Sequence, residues 1–155
     1  MPGYLLDTNH ISAWEEQTPA FMAHLREAPA ENLIWVCPIA LGELECGMRI
    51  TADDNPERRA ACRRFIEDRV LEFVHAIGVT TRDSYAHIMQ QIWNVHRPAH
   101  GGISTQQHLS SLGVDVNDVW IAAVAMEHGL ILLTTDGMET IRECVRELQM
   151  QDWTI

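Results

Sequence analysis

Leu-Ile-Leu-Leu-Thr-Thr-Asp, residues 130–136, and Tyr-Leu-Leu-Asp-Thr-Asn, residues 4–9, are near copies placed at opposite ends of the chain. Each is a short unbroken apolar run that ends in an aspartate with threonine beside it and leads into a helix-like stretch. A run that is apolar on both sides belongs to a strand covered on both faces, the usual setting of a parallel sheet. Further strand-like runs are Leu33–Val36, a weaker one over Leu71–Ile77, and a short closing segment near Gln149–Trp153. Helix-like stretches fill the intervals: Ile11 to Arg26 broken near Pro19, Pro38 to Met48, Glu57 to Val70, Asp83 to Val95, Asp115 to Glu127, and Met138 to Glu147. Strands alternating with helices predict an α/β fold with a mainly parallel central sheet. The whole chain, residues 1–155, reads as one domain. The polar, glycine-bearing segment from Arg97 to Gly113 reads as a loop insertion.

Composition narrows the function. With 22 acidic residues against 11 Lys plus Arg, the formal net charge is -11. That excludes a protein that coats nucleic acid by neutralising phosphates. It suits one that gathers cations or meets a basic partner. No stretch approaches the roughly 20 apolar residues of a membrane span, and the start lacks the pattern of a signal peptide, so no membrane association and a cytoplasmic location are expected. The four cysteines are scattered without a C-x-x-C pair, as in a reduced protein. His96, His100 and His108 lie near one another, but Pro98 and Gly101-Gly102 deny them a helix that would align them as metal ligands.

The carboxylates carry the chemistry. Asp7 and Asp136 each follow a strand, and in a parallel sheet such ends share one edge, the lip of a ligand crevice. Each also reads as a helix cap, although Thr8 or Asn9 is able to cap in place of Asp7. In Pro38-Ile-Ala-Leu-Gly-Glu-Leu-Glu-Cys-Gly-Met-Arg-Ile50, Glu43 shares a helical side with Ile39, Cys46 and Ile50, whereas Glu45 and Arg49 form an i, i+4 pair facing solvent. A carboxylate on a buried side needs a partner or a metal. Asp115 and Asp118 stand where a very apolar helix, Trp120 to Met126, emerges; Asp118 is nearer the buried face, and Asp115 is a cap or an outer support. Like charges gathered in one crevice repel unless a cation lies between them. With no histidine or cysteine among the four acids, Mg²⁺ or Mn²⁺ is the fitting ion. The arginines Arg58, Arg59, Arg63 and Arg64 read either as phosphate contacts or as a solvated face shared with Glu57 and Glu67.

Four segments, LLDTN at 5–9, GELECG at 42–47, NDVWIAA at 117–123 and LLTTD at 132–136, occur in the order found in PIN-domain proteins, and the chain resembles the VapC-type ribonuclease toxins among them. The resemblance implies a three-layer α/β/α domain that is a Mg²⁺- or Mn²⁺-dependent endoribonuclease, the toxin of a type II toxin–antitoxin pair. It maps an acidic quartet to Asp7, Glu43, Asp118 and Asp136, with Asn9 and Thr134 at flanking polar positions; Thr8 or Thr134 is placed to hydrogen-bond a ligating carboxylate, and Asp115 to support from outside. Asp7, Glu43 and Asp118 would be the main ligands, and Asp136 would serve a second ion or orient a water. The implied partners are an RNA substrate, a small antitoxin and a second copy of the chain; the acidic composition suits an antitoxin with a basic tail. The long segment from Arg97 to Gly113 departs from the short link of close family members. Two other functions fit the same residues: an inactive PIN-fold binding module, and a metal-dependent DNase or phosphatase.

Overall fold

Tyr4–Leu6 forms strand β1, buried at all three positions, because its side chains are apolar on both sides and helices cover both faces. The computed structural model describes residues 3–51, 55–135 and 138–155. β1 pairs in parallel with β2 (Ile34–Trp35) on one side and with β3 (Ile131–Leu133) on the other. β3 pairs in parallel with β4 (Met150–Gln151), so the order is β2-β1-β3-β4. The helices are α1 (Thr8–Glu15), α2 (Pro19–Glu27), α3 (Pro38–Ile50), α4 (Pro56–Phe65), α5 (Thr81–Val95), α6 (Thr105–Ser111), α7 (Val116–Glu127) and α8 (Glu139–Cys144). Together they make the expected α/β/α arrangement. Three of the helices, α2, α3 and α4, carry proline in the first turn, where the missing N–H breaks no intrahelical bond.

The core lies between β1, β3 and α7. Leu5, Leu6, Leu132 and Leu133 are fully buried, and so is the run Ala122 to Ala125 of α7. This packing accounts for the apolar character of α7; among the described residues no single helix is long and apolar enough to cross a membrane. Removing a buried leucine such as Leu132 to alanine costs about 2–5 kcal/mol in such a setting. β1 and β2 also meet closely at their start. A Cβ on Gly3 would lie 2.7 Å from the Leu33 carbonyl oxygen, so only glycine fits there.

Two segments differ from expectation. Leu71–Ile77 is not a strand: a turn of π-helix (Ile66–Val70) and a short 3₁₀ turn (Leu71–Phe73) precede a single bridge from Val74 to Val36. Leu71 and Glu72 are exposed, so only Phe73 to His75 reaches the sheet, through Val36 N–H to Phe73 O and His75 N–H to Val36 O. The segment from Arg97 to Gly113 is not all loop, because α6 lies inside it. Ser104 and Gln107 form a capping box at its start. His108, buried, turns its Nε2 to the His96 carbonyl and makes a T-shaped ring contact with Trp93. That histidine therefore anchors the insertion.

Candidate active site

The chain runs from β1 to β2 on one side of the sheet and later returns to β3 on the other. The carboxyl ends of β1 and β3 therefore flank the point where strand order reverses, the position at which open parallel sheets place ligands. Asp7 stands at that point. Its N–H continues the ladder to Leu133 O at 3.0 Å, and its backbone is extended (φ -78°, ψ 176°) just before α1 begins. It is therefore the N-cap itself, with Oδ1 accepting the His10 N–H at 3.0 Å. The expectation that Thr8 or Asn9 would cap α1 is corrected. Both are already inside the first turn, and their side chains point to other elements. Thr8 Oγ1 donates to Glu43 Oε2 at 2.6 Å, and Asn9 Nδ2 donates to Thr135 Oγ1 at 2.8 Å.

Glu43 is held from two sides. Besides Thr8, the Asn117 amide donates to its Oε1 at 2.9 Å, so a hydrogen-bonded chain Thr8–Glu43–Asn117 links α1, α3 and the start of α7. The helical side that carries Glu43 is less buried than its sequence suggested: Glu43 is half-buried, Cys46 is exposed and Ile50 is 76% exposed. α3 reaches the core through Ala40, with Ile39, Leu41 and Leu44 packed partly against it. Neutral donors, not depth, hold this carboxylate. Glu45 does face solvent, bonded to Arg49 at 2.7 Å and Arg63 at 3.0 Å, and the Arg63 and Arg49 guanidinium groups hold its carboxyl below the usual range.

At the start of α7, Asp115 is the N-cap, accepting from Asn117 N–H at 2.8 Å. Asp118, half-buried in the first turn, lines a cleft of about 350 Å³ with Gly113, Val114, Met138 and Glu139. Thr134, buried, follows β3 and donates its N–H to Gln151 O at 3.0 Å. Asp136 lies outside the described residues.

A second cleft, of about 280 Å³, joins Glu43 and Thr8 to Ser12, Glu15, Arg58 and Arg59. Arg58 is bonded there to Glu15 at 2.6 Å and Glu16 at 2.8 Å, and Arg63 to Glu45. Arg58 thus pairs with acids at the end of α1, and Arg63 with Glu45 of α3. Arg58 and Arg59 bring positive charge beside the acidic residues. Cys37, buried just before α3, has its thiol pushed up by that burial, with backbone bonds opposing and the Glu43 charge a lesser contribution.

Thr8 thus joins the Asp7 end of β1 to Glu43, and Asn117 joins Glu43 to the turn that carries Asp118. Among the described residues no three His, Cys, Asp or Glu side chains form a ready-made metal cluster. The donor chemistry of Asp7, Glu43 and Asp118, all carboxylate oxygen, fits a hard divalent cation better than a softer metal. Two contributors escaped the sequence reading. Asn117 lies inside the NDVWIAA segment beside the acids, and His10 is three residues after Asp7, the spacing at which a capping aspartate meets its helix.

An α/β domain with carboxylates at its switch point is the class that fold and site define. Residues 4–139 match the PIN domain family, and the chain belongs to it. No curated protein matches it in sequence. Solved structures with the same fold include VapBC-1 from nontypeable Haemophilus influenzae (TM-score 0.68, 20% identity, 98% of each chain covered) and DNA-bound VapBC from Salmonella typhimurium (0.68, 18%, 99% of each). A third is VapBC-5 from Mycobacterium tuberculosis, a member of the VapBC family of toxin–antitoxin systems (0.57, 21%, 97% of this chain and 99% of that one).

Proposed function

We propose that this protein is a Mg²⁺- or Mn²⁺-dependent endoribonuclease, the toxin of a type II toxin–antitoxin pair. The observation that carries the reading is the Thr8–Glu43–Asn117 chain, which ties three acid-bearing elements to the carboxyl edge of the sheet with no cationic side chain on Glu43 among the described residues. Asp7, Glu43 and Asp118 would hold the ion, with Asp136 as the fourth acid. A bound divalent ion supplies Lewis-acid stabilisation of a phosphodiester and lowers the pKa of a water. The chain's own residues do the positioning. Thr8 and Asn117 fix the Glu43 oxygens, and Asn9 fastens the first turn of α1 to the segment after β3. Arg58 and Arg59 offset the repulsion between an acidic protein and phosphate at the adjoining cleft. The VapBC likeness supports a small antitoxin as partner, and the net charge of -11 favours one with a basic tail. A homodimer and a cytoplasmic location complete the proposal.

Labelled single-stranded RNA, the matching DNA and a phosphomonoester provide the test. RNA cleavage that stops in EDTA and returns with Mg²⁺ or Mn²⁺ is the expected outcome. Undiminished cleavage by Asp7→Asn and Glu43→Gln proteins would sink the assignment, and preference for DNA or the phosphomonoester would redirect it.

A further inference from the structure

His10 is fully buried, yet both of its ring nitrogens are engaged. The backbone N–H of Trp153 meets Nε2 at 3.0 Å. A backbone N–H only donates, so Nε2 must present its lone pair, and the ring proton therefore sits on Nδ1. Nδ1 stands 3.0 Å from Asp7 Oδ1, and its N–H donates there. The same oxygen also caps α1 through the His10 N–H. Oδ1 of Asp7 is thus taken twice by one residue, while Oδ2 has no hydrogen bond among the described residues.

The donor that sets this tautomer is itself rigid. Trp153 is 4% exposed, with its ring against Tyr4 (centroids 4.6 Å apart), Phe21 (5.6 Å) and His24 (5.7 Å). Its indole N–H reaches Gln151 at 3.0 Å. Asp152 Oδ1, which accepts from Thr154 N–H and Oγ1, lies farther from Nε2, at 3.5 Å, than the Trp153 N–H donor at 3.0 Å. The segment after β4 therefore reaches back 143 residues in sequence to fix a proton on the first turn of α1.

We infer that His10 is a positioning residue for Asp7. Its Nδ1–H and backbone N–H lock Oδ1 and leave Oδ2 as the atom that meets the cation, with the C-terminal segment holding the imidazole in the required tautomer. The inference rests on the proposed role of Asp7 as a metal ligand. A purely structural histidine, bolting the C-terminal segment to α1, would need only Nε2. A positioning histidine needs Nδ1–H.

Conservative variants separate these roles. His10→Asn keeps an amide donor near the Nδ1 position, and His10→Gln keeps an amide near the Nε2 position. Mn²⁺ affinity is read by calorimetry on protein shown folded by thermal melts, with Asp7→Asn as reference. His10→Gln is expected to weaken Mn²⁺ binding about 10–100-fold, the usual effect of losing a group that orients a ligand, and His10→Asn by about threefold or less. Equal losses in both variants, or no loss in His10→Gln while Asp7→Asn weakens binding, overturn the inference alone. Unchanged binding in Asp7→Asn overturns the reading of Asp7 as a ligand and the inference with it. Should either His10 variant fail to fold, ¹⁵N NMR of the wild-type imidazole decides: the Nδ1–H neutral tautomer is expected, and an Nε2–H tautomer overturns it.

Discussion

The two edges of the sheet surround their carboxylates differently. At the carboxyl edge, Glu43 and Asp7 are held by hydrogen-bond donors from Thr8, Asn117 and His10, and no arginine pairs with either among the described residues. At the other edge, Trp35, His75 and His128 form a stack, with ring centroids 4.0 Å and 3.7 Å apart, beside a cleft of about 530 Å³ lined also by Gly3, Glu31 and Leu33. Burial pushes the His75 pKa down, and the neighbouring His128 adds to it while Glu127 opposes. One edge holds Glu43 and Asp7 with neutral donors alone among the described residues; the other sets Glu127, which accepts from Thr80 and Thr81, 3.7 Å from the His128 ring of the stack. Orienting a carboxylate with no cationic side chain beside it leaves it able to bind a cation, which supports the carboxyl edge as the proposed site.

Removing the retained charge is the strongest way to break the contrast. Glu43→Gln still accepts from Thr8 at one oxygen, but its amide nitrogen would face the Asn117 donor and the negative charge is gone. RNA cleavage is expected to fall more than about 100-fold, beyond the usual loss for a supporting residue, with little change in melting temperature. Thr8→Val should show a smaller effect. It deletes one donor to Glu43 while keeping the shape and the helix, so a loss of about tenfold in kcat is expected, with substrate affinity nearly unchanged. A Thr8→Val protein as active as wild type would show that the donor chain does not position Glu43. At the opposite edge Gly3→Ala should act on stability alone. Its Cβ would lie 2.7 Å from the Leu33 carbonyl, and a clash of that kind costs about 1–3 kcal/mol. Chemical denaturation measures the loss, and activity per folded molecule should persist.

Sequence pattern revealed what local chemistry determines. The β1 and β3 runs, the proline start of α3 and the Glu45–Arg49 pair were legible because each depends on residues within a few positions of one another. α6 was also readable in principle, since Ser104 and Gln107 carry a capping-box spacing, but the glycines and histidines around it concealed a seven-residue helix. The site was legible in its acids and not in their supports. Glu43 is only half-buried, and helical periodicity cannot show that α3 is open to solvent at Cys46 and Ile50. Nor can any local pattern place Trp153 against His10, a contact made only once β4 has joined the sheet. Asp7 is the instructive case. Cap and ligand are not rival readings of one residue: the cap uses Oδ1, and among the described residues Oδ2 stays open for the proposed role in cation binding.

The smallest expected effect belongs to the stacked rings. The folded-state pKa of His75 lies below its ordinary value near 6.5, chiefly through burial. As pH falls through that ordinary value, the unfolded chain takes up a proton that the folded chain resists. Unfolding therefore becomes easier, and the loss levels off below the folded pKa. His128 and Glu127 face the same ring, and Glu31 lines the cleft. Thr80 and Thr81 hold the Glu127 carboxyl below the usual range, so it stays charged through mildly acidic pH. His75→Phe keeps an aromatic ring against Trp35 and removes the titration. Between pH 7.5 and 5.5 the wild-type melting temperature should fall further than that of the variant, while RNA cleavage per folded molecule shows the same pH profile in both. Parallel melting curves would mean that the stack does not resist protonation. A changed cleavage profile would mean that the two edges of the sheet are coupled after all.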